Sequence, residues 1–242
     1  MMNAFILKGT PAILLRKERF VVVGDLHIGK NLELERLGMH VPGATLRMAA
    51  SLLELAKRSR SKAVVLAGDV KHSLSYPSRE EFMELSAFFY ALRSLHVVIT
   101  KGNHDPHLDE AIKRMGSDAE VVRELILDET AIMHGHALPS EEAMSKKLLV
   151  TAHSHPAVEV NGSMEKAFIF AKISKGAKAM YPSCRKDADM VVLPSYNNLI
   201  TGTNVSEAAT FTPLFRNRIF DINGAKVYLL SKKMVGTVSS LR

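Results

Sequence analysis

The chain has 242 residues, 47% of them apolar and 24% charged. That balance excludes whole-chain disorder, a collagen-like repeat and a coiled-coil rod. One cysteine, Cys184, excludes an intrachain disulfide framework and zinc modules of paired thiolates, and a net charge of +7 favours anionic partners without naming one.

The first residues, Met1 to Leu15, are apolar but interrupted by Lys8-Gly9-Thr10-Pro11. They read as two short strands and a turn, not a signal peptide. No stretch reaches the roughly 20 apolar residues of a membrane helix, so no membrane partner is expected and the expected location is the cytoplasm. Phe20 to Val23 is a β-branched strand that stops at Gly24-Asp25, and Gly29 to Pro42 reads either as a loop or as a short helix. Thr45 to Lys57 carries Leu46, Ala49, Leu53 and Ala56 at helical spacing. It runs into the basic stretch Lys57 to Lys62, where cations suit a helix C-terminus and face water.

Ala63 to Ala67 reads as a strand ending at Gly68-Asp69. Ser78 to Leu92 reads as a helix opened by a capping box of Ser78 and Glu81, with Phe82, Leu85, Phe89 and Leu92 turned inward. A strand over His96 to Ile99 ends near Lys101-Gly102-Asn103, and a helix over Leu108 to Met115 stops at Gly116. Strands then follow closely: Ala119–Leu127, Thr130–Met133, Lys147–Thr151, Ala157–Val160, Ala167–Ile173, Met190–Leu193 and Ala225–Leu230. The order is βαβ in front and strand-rich behind, an α/β chain read as a single domain over residues 1–242.

Five strand ends carry the same residue types. They are Gly24-Asp25-Leu26-His27, Gly68-Asp69, Gly102-Asn103-His104-Asp105, His134-Gly135-His136 and His153-Ser154-His155. In open α/β sheets ligands bind outside the carboxyl ends of strands. Of the ten histidines, only His40, His96 and His107 fall outside these clusters and the nearby His72; those three read as surface or hydrogen-bonded residues. One Gly-Asp after a strand is equally a plain turn, but a turn does not explain five clusters in succession. Carboxylate, amide and imidazole donors together suit a borderline divalent ion such as Mn, Fe, Zn or Ni. They outnumber the ligands of one tetrahedral site, so two ions are expected.

The ordered set resembles the calcineurin-like metallophosphoesterase superfamily, whose pattern is D-x-H, G-D, G-N-H-D/E, H and G-H-x-H. The resemblance spans Asp25 to His155 and implies a four-layer αββα sandwich of two mixed β-sheets flanked by helices. It implies that Asp25, His27 and His155 hold one metal, that Asn103, His134 and His153 hold the other, and that Asp69 bridges them. Manganese is the first choice, with Ni, Fe, Zn or Mg as alternatives. His104 would protonate the leaving oxygen, oriented by Asp105. His72 stands where nucleolytic members have a phosphate-contacting histidine. Lys30 and Lys101 are phosphate candidates by charge, and His136 would face the substrate or support a ligand.

The last block departs from the pattern, with Ala152 where the family has glycine, which matters only if that backbone needs a positive φ. Gly24 to Lys30, and Leu193-Pro194-Ser195-Tyr196-Asn197 followed by Gly202, are similar to the ICC-like predicted phosphoesterases, which include the DNA-ligase-associated ones. The reading is a dinuclear phosphoesterase using a metal-bridging hydroxide, first a phosphodiesterase on nucleic acid or cyclic nucleotides. The alternatives are a phosphomonoesterase on nucleotides or phosphosugars, and a non-catalytic metal-binding scaffold. Oligomeric state is left open. Cys184 reads as inert and the twelve methionines as core filling.

Overall fold

The computed structural model describes residues 3–210 and 212–242. Strands β1 (Ala4–Ile6) and β2 (Ile13–Leu15) form the expected N-terminal hairpin, and Met1 and Met2 of that stretch lie outside the described residues. The chain continues through β3 (Phe20–Val23), α1 (Lys30–Arg36), α2 (Ala44–Arg58), β4 (Ala63–Leu66), α3 (Arg79–Ala91), β5 (His96–Thr100), α4 (Leu108–Met115) and β6 (Glu120–Val122). These six strands make one sheet in chain order, antiparallel from β1 to β3 and parallel from β3 to β6.

The second sheet is built from β7 (Leu125–Ile126), β8 (Thr130–Ile132), β9 (Leu148–Thr151), β10 (Pro156–Val160), β11 (Ser163–Lys172), β12 (Asp189–Val192), β13 (Thr203–Asn204), β14 (Lys226–Leu229) and β15 (Met234–Thr237). Its order is β13-β10-β11-β12-β9-β8-β7, with β14 paired to both β11 and β15. Helices α5 (Glu141–Met144) and α6 (Pro213–Arg216) accompany it.

Alternation along the strands builds the layers. Val21, Val23, Val64 and Leu66 face helices α2 and α3, where Leu52, Leu85 and Phe88 complete one core. Val22, Val65 and Val98 point the other way and meet Ile132, Val150, Phe168 and Val191 of the second sheet. Leu149, Ile169 and Val192 face outward from that sheet against Leu214 and Phe215 of α6. Strands buried on both faces read as unbroken apolar runs, which is why they were visible in the sequence. The architecture is the expected four-layer αββα arrangement. Among the described residues, no helix is long and apolar enough to cross a membrane. Cys184 is a free thiol buried in the outer core.

Three local expectations are corrected. The stretch Ala119–Leu127 is not one strand: β6 belongs to the first sheet and β7 to the second, and Arg123 and Glu124 carry the chain between them. Ser78 caps α3 by accepting from the Glu81 amide at 3.2 Å, but Glu81 does not complete the box. Its buried carboxylate turns to the amides of His72 and Ser73 instead. On α2 the buried face is Ala49, Leu52, Leu55 and Ala56, whereas Leu46 is 55% exposed. The packed face is rotated towards Leu52 and Leu55, and Leu46 lies off it.

Candidate metal centre

The parallel strands β3, β4 and β5, and strands β8 and β9 of the second sheet, all end on one side of the molecule. The two sheets are pinned there by an isolated bridge between Gly24 and Ser195. Each strand end turns sharply, and five of the residues doing so, Asp25, His27, Asp69, His153 and His155, have φ between 42° and 69°. Left-handed backbone at residues other than glycine is costly, and it persists only where surrounding contacts over-determine it. Ala152 is not among them, so the alanine in place of the family's glycine needs no strained backbone.

Two donor groups form side by side. In the first, His27 Nε2 lies 3.3 Å from His155 Nε2, and His155 Nε2 lies 3.3 Å from Asp25 Oδ1. In the second, His134 Nε2 is surrounded by Asn103 Oδ1 at 3.1 Å, His153 Nδ1 at 3.2 Å and Asp69 Oδ2 at 3.3 Å. Asp69 Oδ2 also lies 3.7 Å from His27 Nε2, so one carboxylate oxygen faces both groups. Asp25 joins the blocks by accepting the His153 amide on both oxygens, at 3.1 and 3.0 Å.

The protonation pattern fits a cation site. His134 Nδ1 donates to Ala67 O at 2.9 Å, which turns Nε2 toward the other donors. Burial pushes His27 down to about 3 and His153 down to about 4, so both rings are neutral with lone pairs available. Burial alone would lower His134 as well, but the hydrogen bond it donates to Asp69 and the charges of Asp25 and Asp69 raise it to about 9. Burial would raise Asp69, yet its bond and charge contact with His134 and the His104 amide hold it well below the usual carboxylate range. Apart from the one proton on His134 Nε2, which a bound cation would displace, these nitrogens and oxygens crowd together with none between them, the donor chemistry of a metal centre. Asp25, His27 and His155, and separately Asp69, His134 and His153, could each hold an ion.

A model of the calcineurin-like phosphoesterase family matches residues 18–167. The chain belongs to this family. It is therefore a hydrolase of phosphoesters from a family that uses divalent metals, and the match covers every residue from Asp25 to His155. Among solved structures it is similar to the Pseudomonas putida nuclease MPE, at 19% identity and a TM-score of 0.62, over 91% of this chain and 89% of that one. It is also aligned with YfcE, a phosphoesterase from E. coli, at 16% identity and a TM-score of 0.42, over 90% and 96% of the two chains. A search of the curated proteins finds no match.

The remaining site candidates of this phosphoesterase fall on two sides of the donor groups. His104 lies with its ring centroid 4.8 Å from that of His27, and its Nδ1 donates to the carbonyl of His72 at 2.6 Å. The expectation that Asp105 orients this ring is corrected. Asp105 is fully buried and accepts from the amides of Val70 at 2.9 Å, Lys71 at 3.2 Å and Gly102 at 2.8 Å. It ties the β4 turn to the β5 turn and leaves the His104 ring to the His72 carbonyl. The His72 ring stacks nearly parallel to His104 at 5.9 Å. On the other side, the His136 ring lies 5.3 Å from that of His134.

Neither lysine reaches the donor groups as a free cation. Lys30 Nζ pairs with Glu33 at 2.6 Å, and Lys101 Nζ pairs with Asp109 at 3.1 Å. Glu33 also binds His72 Nε2 at 2.6 Å, so one carboxylate holds two of the substrate candidates. Its spacing from Lys30 suggests that pair in the sequence, but nothing local connects it with His72. Lys71, fully buried, was also missed. It donates to the carbonyls of Ser73 and Ser75 and braces the turn that carries His72, and burial pushes its pKa down.

The Ser195 region braces the first block from behind. Ser195 Oγ donates to Asp25 O at 2.9 Å, and Asn197 Nδ2 to Leu26 O at 2.7 Å. Lys166 in turn donates to the carbonyls of Ser195 and Asn197 at 2.7 and 2.6 Å. Gly68 shows how tightly the blocks meet. Its φ is +79°, and a Cβ placed there would lie 2.5 Å from the His134 ring. Gly68→Ala is therefore expected to cost about 3 kcal/mol, from the left-handed backbone and the overlap together. Thermal unfolding checks it: an unchanged midpoint would show that the ring can move aside freely.

Proposed function

We propose that the chain is a dinuclear metal-dependent phosphodiesterase acting on nucleic acid or cyclic nucleotides. The observation that carries the reading is the shared oxygen of Asp69, which faces both donor groups at 3.3 and 3.7 Å. On this reading Asp25, His27 and His155 hold one ion, Asn103, His134 and His153 hold the second, and Asp69 serves both. The ions, manganese first among the candidates, would neutralise phosphate oxygens and acidify a bound water to near-neutral pKa.

The chain's own residues do the rest. With Nδ1 anchored on the His72 carbonyl, His104 presents Nε2 to the leaving oxygen and delivers a proton there. His72, stacked against His104 and 5.5 Å from the His27 ring, would contact the phosphate through Nε2 once the substrate displaces Glu33 from it. A histidine at this place resembles the phosphate-contacting one of nucleolytic members, which favours a diester over a monoester. His104→Ala is expected to keep the metals while lowering turnover by about 10²-fold. Metal content and hydrolysis measured on one preparation check it, and wild-type turnover would remove the general-acid role.

The test of the whole reading is hydrolysis of bis(p-nitrophenyl) phosphate and of p-nitrophenyl phosphate by metal-stripped protein, with Mn, Ni, Zn or Mg restored singly. Metal-dependent cleavage with the diester preferred is expected. Equal rates on the two esters would favour the monoesterase alternative, and no cleavage with any metal would favour a scaffold.

A further inference from the structure

A groove of about 440 Å3 opens directly against His134 and His136, on the side away from His72. Its size is in the range of small-ligand sites. Four charged side chains line it, Lys101, Asp109, Arg123 and Glu124. Three of them are already committed. Lys101 and Asp109 pair with each other, and Glu124 accepts from the amide and the hydroxyl of Ser140. Arg123 is different. Its guanidinium donates only to the Leu138 carbonyl, at 3.5 Å, and meets no carboxylate among the described residues.

The backbone of Arg123 is also well held. It sits in the two-residue link between β6 and β7, so it is clamped by one sheet on each side. A fixed base and an uncompensated guanidinium at the wall of a groove beside the donor groups suit bidentate recognition of a phosphate. The scissile phosphate belongs at the donor groups themselves, so the groove takes a different one. We propose that Arg123, with His136, forms a subsite for a second phosphate, the one adjoining the scissile diester in a single nucleic-acid strand. This rests on the phosphodiesterase reading and names its substrate class as a strand in preference to a cyclic mononucleotide, which has no second phosphate. The terminal phosphate of a nucleoside diphosphate offers the same chemistry, and the test separates the two.

The experiment compares Arg123→Ala and Arg123→Lys with wild type, using the metal-restored full chain. The substrates are a single-stranded oligonucleotide and bis(p-nitrophenyl) phosphate, which has one phosphate only. Arg123→Ala is expected to raise KM for the oligonucleotide about tenfold relative to KM for the small diester. It should also reduce the salt dependence of oligonucleotide binding by about one phosphate contact. Arg123→Lys, which keeps the charge but not the fork, is expected to fall between. A wild type that cleaves the small diester while Arg123→Ala leaves the KM ratio unchanged overturns the subsite alone. A wild type that cleaves the small diester but not the oligonucleotide overturns it too. A wild type that cleaves neither overturns the phosphodiesterase reading, and the subsite with it. If Arg123→Ala weakens inhibition by a nucleoside 5′-diphosphate but not oligonucleotide binding, the strand assignment is wrong.

Discussion

Asp69→Asn is expected to lower metal-dependent hydrolysis by about 10³-fold or more. The argument starts from its two oxygens. Oδ1 accepts the His104 amide at 2.8 Å, and an asparagine carbonyl can keep that bond. Oδ2 is the atom that faces His134 and His27. In asparagine that position becomes an amide nitrogen carrying two protons, where a cation needs a lone pair. The substitution also removes the negative charge that would offset two divalent ions. A loss of several kcal/mol of charge stabilisation corresponds to that fall in rate. Metal analysis alongside the assay should find fewer ions bound than in wild type. Full metal content with wild-type turnover would mean that Asp69 serves neither donor group.

Asp105→Asn is expected to act on stability as well as on activity. The buried carboxylate accepts three backbone amides, two on Oδ1 and one on Oδ2. Burial and the charge of Asp69 push its pKa up, yet both oxygens act as acceptors, as the ionised form requires. Asparagine has one acceptor oxygen, so its amide group must face at least one backbone N–H. Hydrogen bonds to a charged group contribute about 1.5–3 kcal/mol each, and a buried donor left without a partner costs more. The expected destabilisation is about 3 kcal/mol, or roughly 6–12 °C in the unfolding midpoint for a chain of this size. Asp105 also joins the turn carrying Asp69 to the turn carrying Asn103 and His104, so metal binding should weaken in parallel. If the residue only oriented His104, turnover would fall while the unfolding midpoint and the metal content stayed put. Calorimetry and metal titration on the same variant separate the two roles.

Much of this molecule was legible in the sequence for identifiable reasons. Phe20–Val23, Ala63–Leu66 and His96–Thr100 are short apolar runs closed by glycine and polar residues, which is how strands buried on both faces look. Helices α2 and α3 stood out by their apolar spacing, and α4 by its stop at Gly116, which takes the left-handed conformation. Strand β13 has only two residues, too few for any period to show, and β15 breaks its apolar run at Gly236 after Met234 and Val235. The break between β6 and β7 was hidden because Val121 to Leu127 is continuously compatible with a strand. Only the separation of the two sheets forces the chain to leave one and enter the other.

The same division holds at the site. The sequence by itself determined which chemistry is available and that it is delivered at strand ends. Residue type is local information, and parallel strands feeding one edge bring their ends together whatever the loops do. It did not determine which oxygen faces which nitrogen. Asp105 turns to the Val70, Lys71 and Gly102 amides, while the neighbouring His104 ring donates its Nδ1 proton to the His72 carbonyl. Glu33 finds His72 across 39 positions, and Ser195 finds Asp25 across 170. Arg123 owes its place beside the donor groups to the crossover between sheets. Such contacts depend on how two sheets and their turns pack in three dimensions, and a hydrogen bond or ion pair is decided by tenths of an ångström that no local pattern encodes.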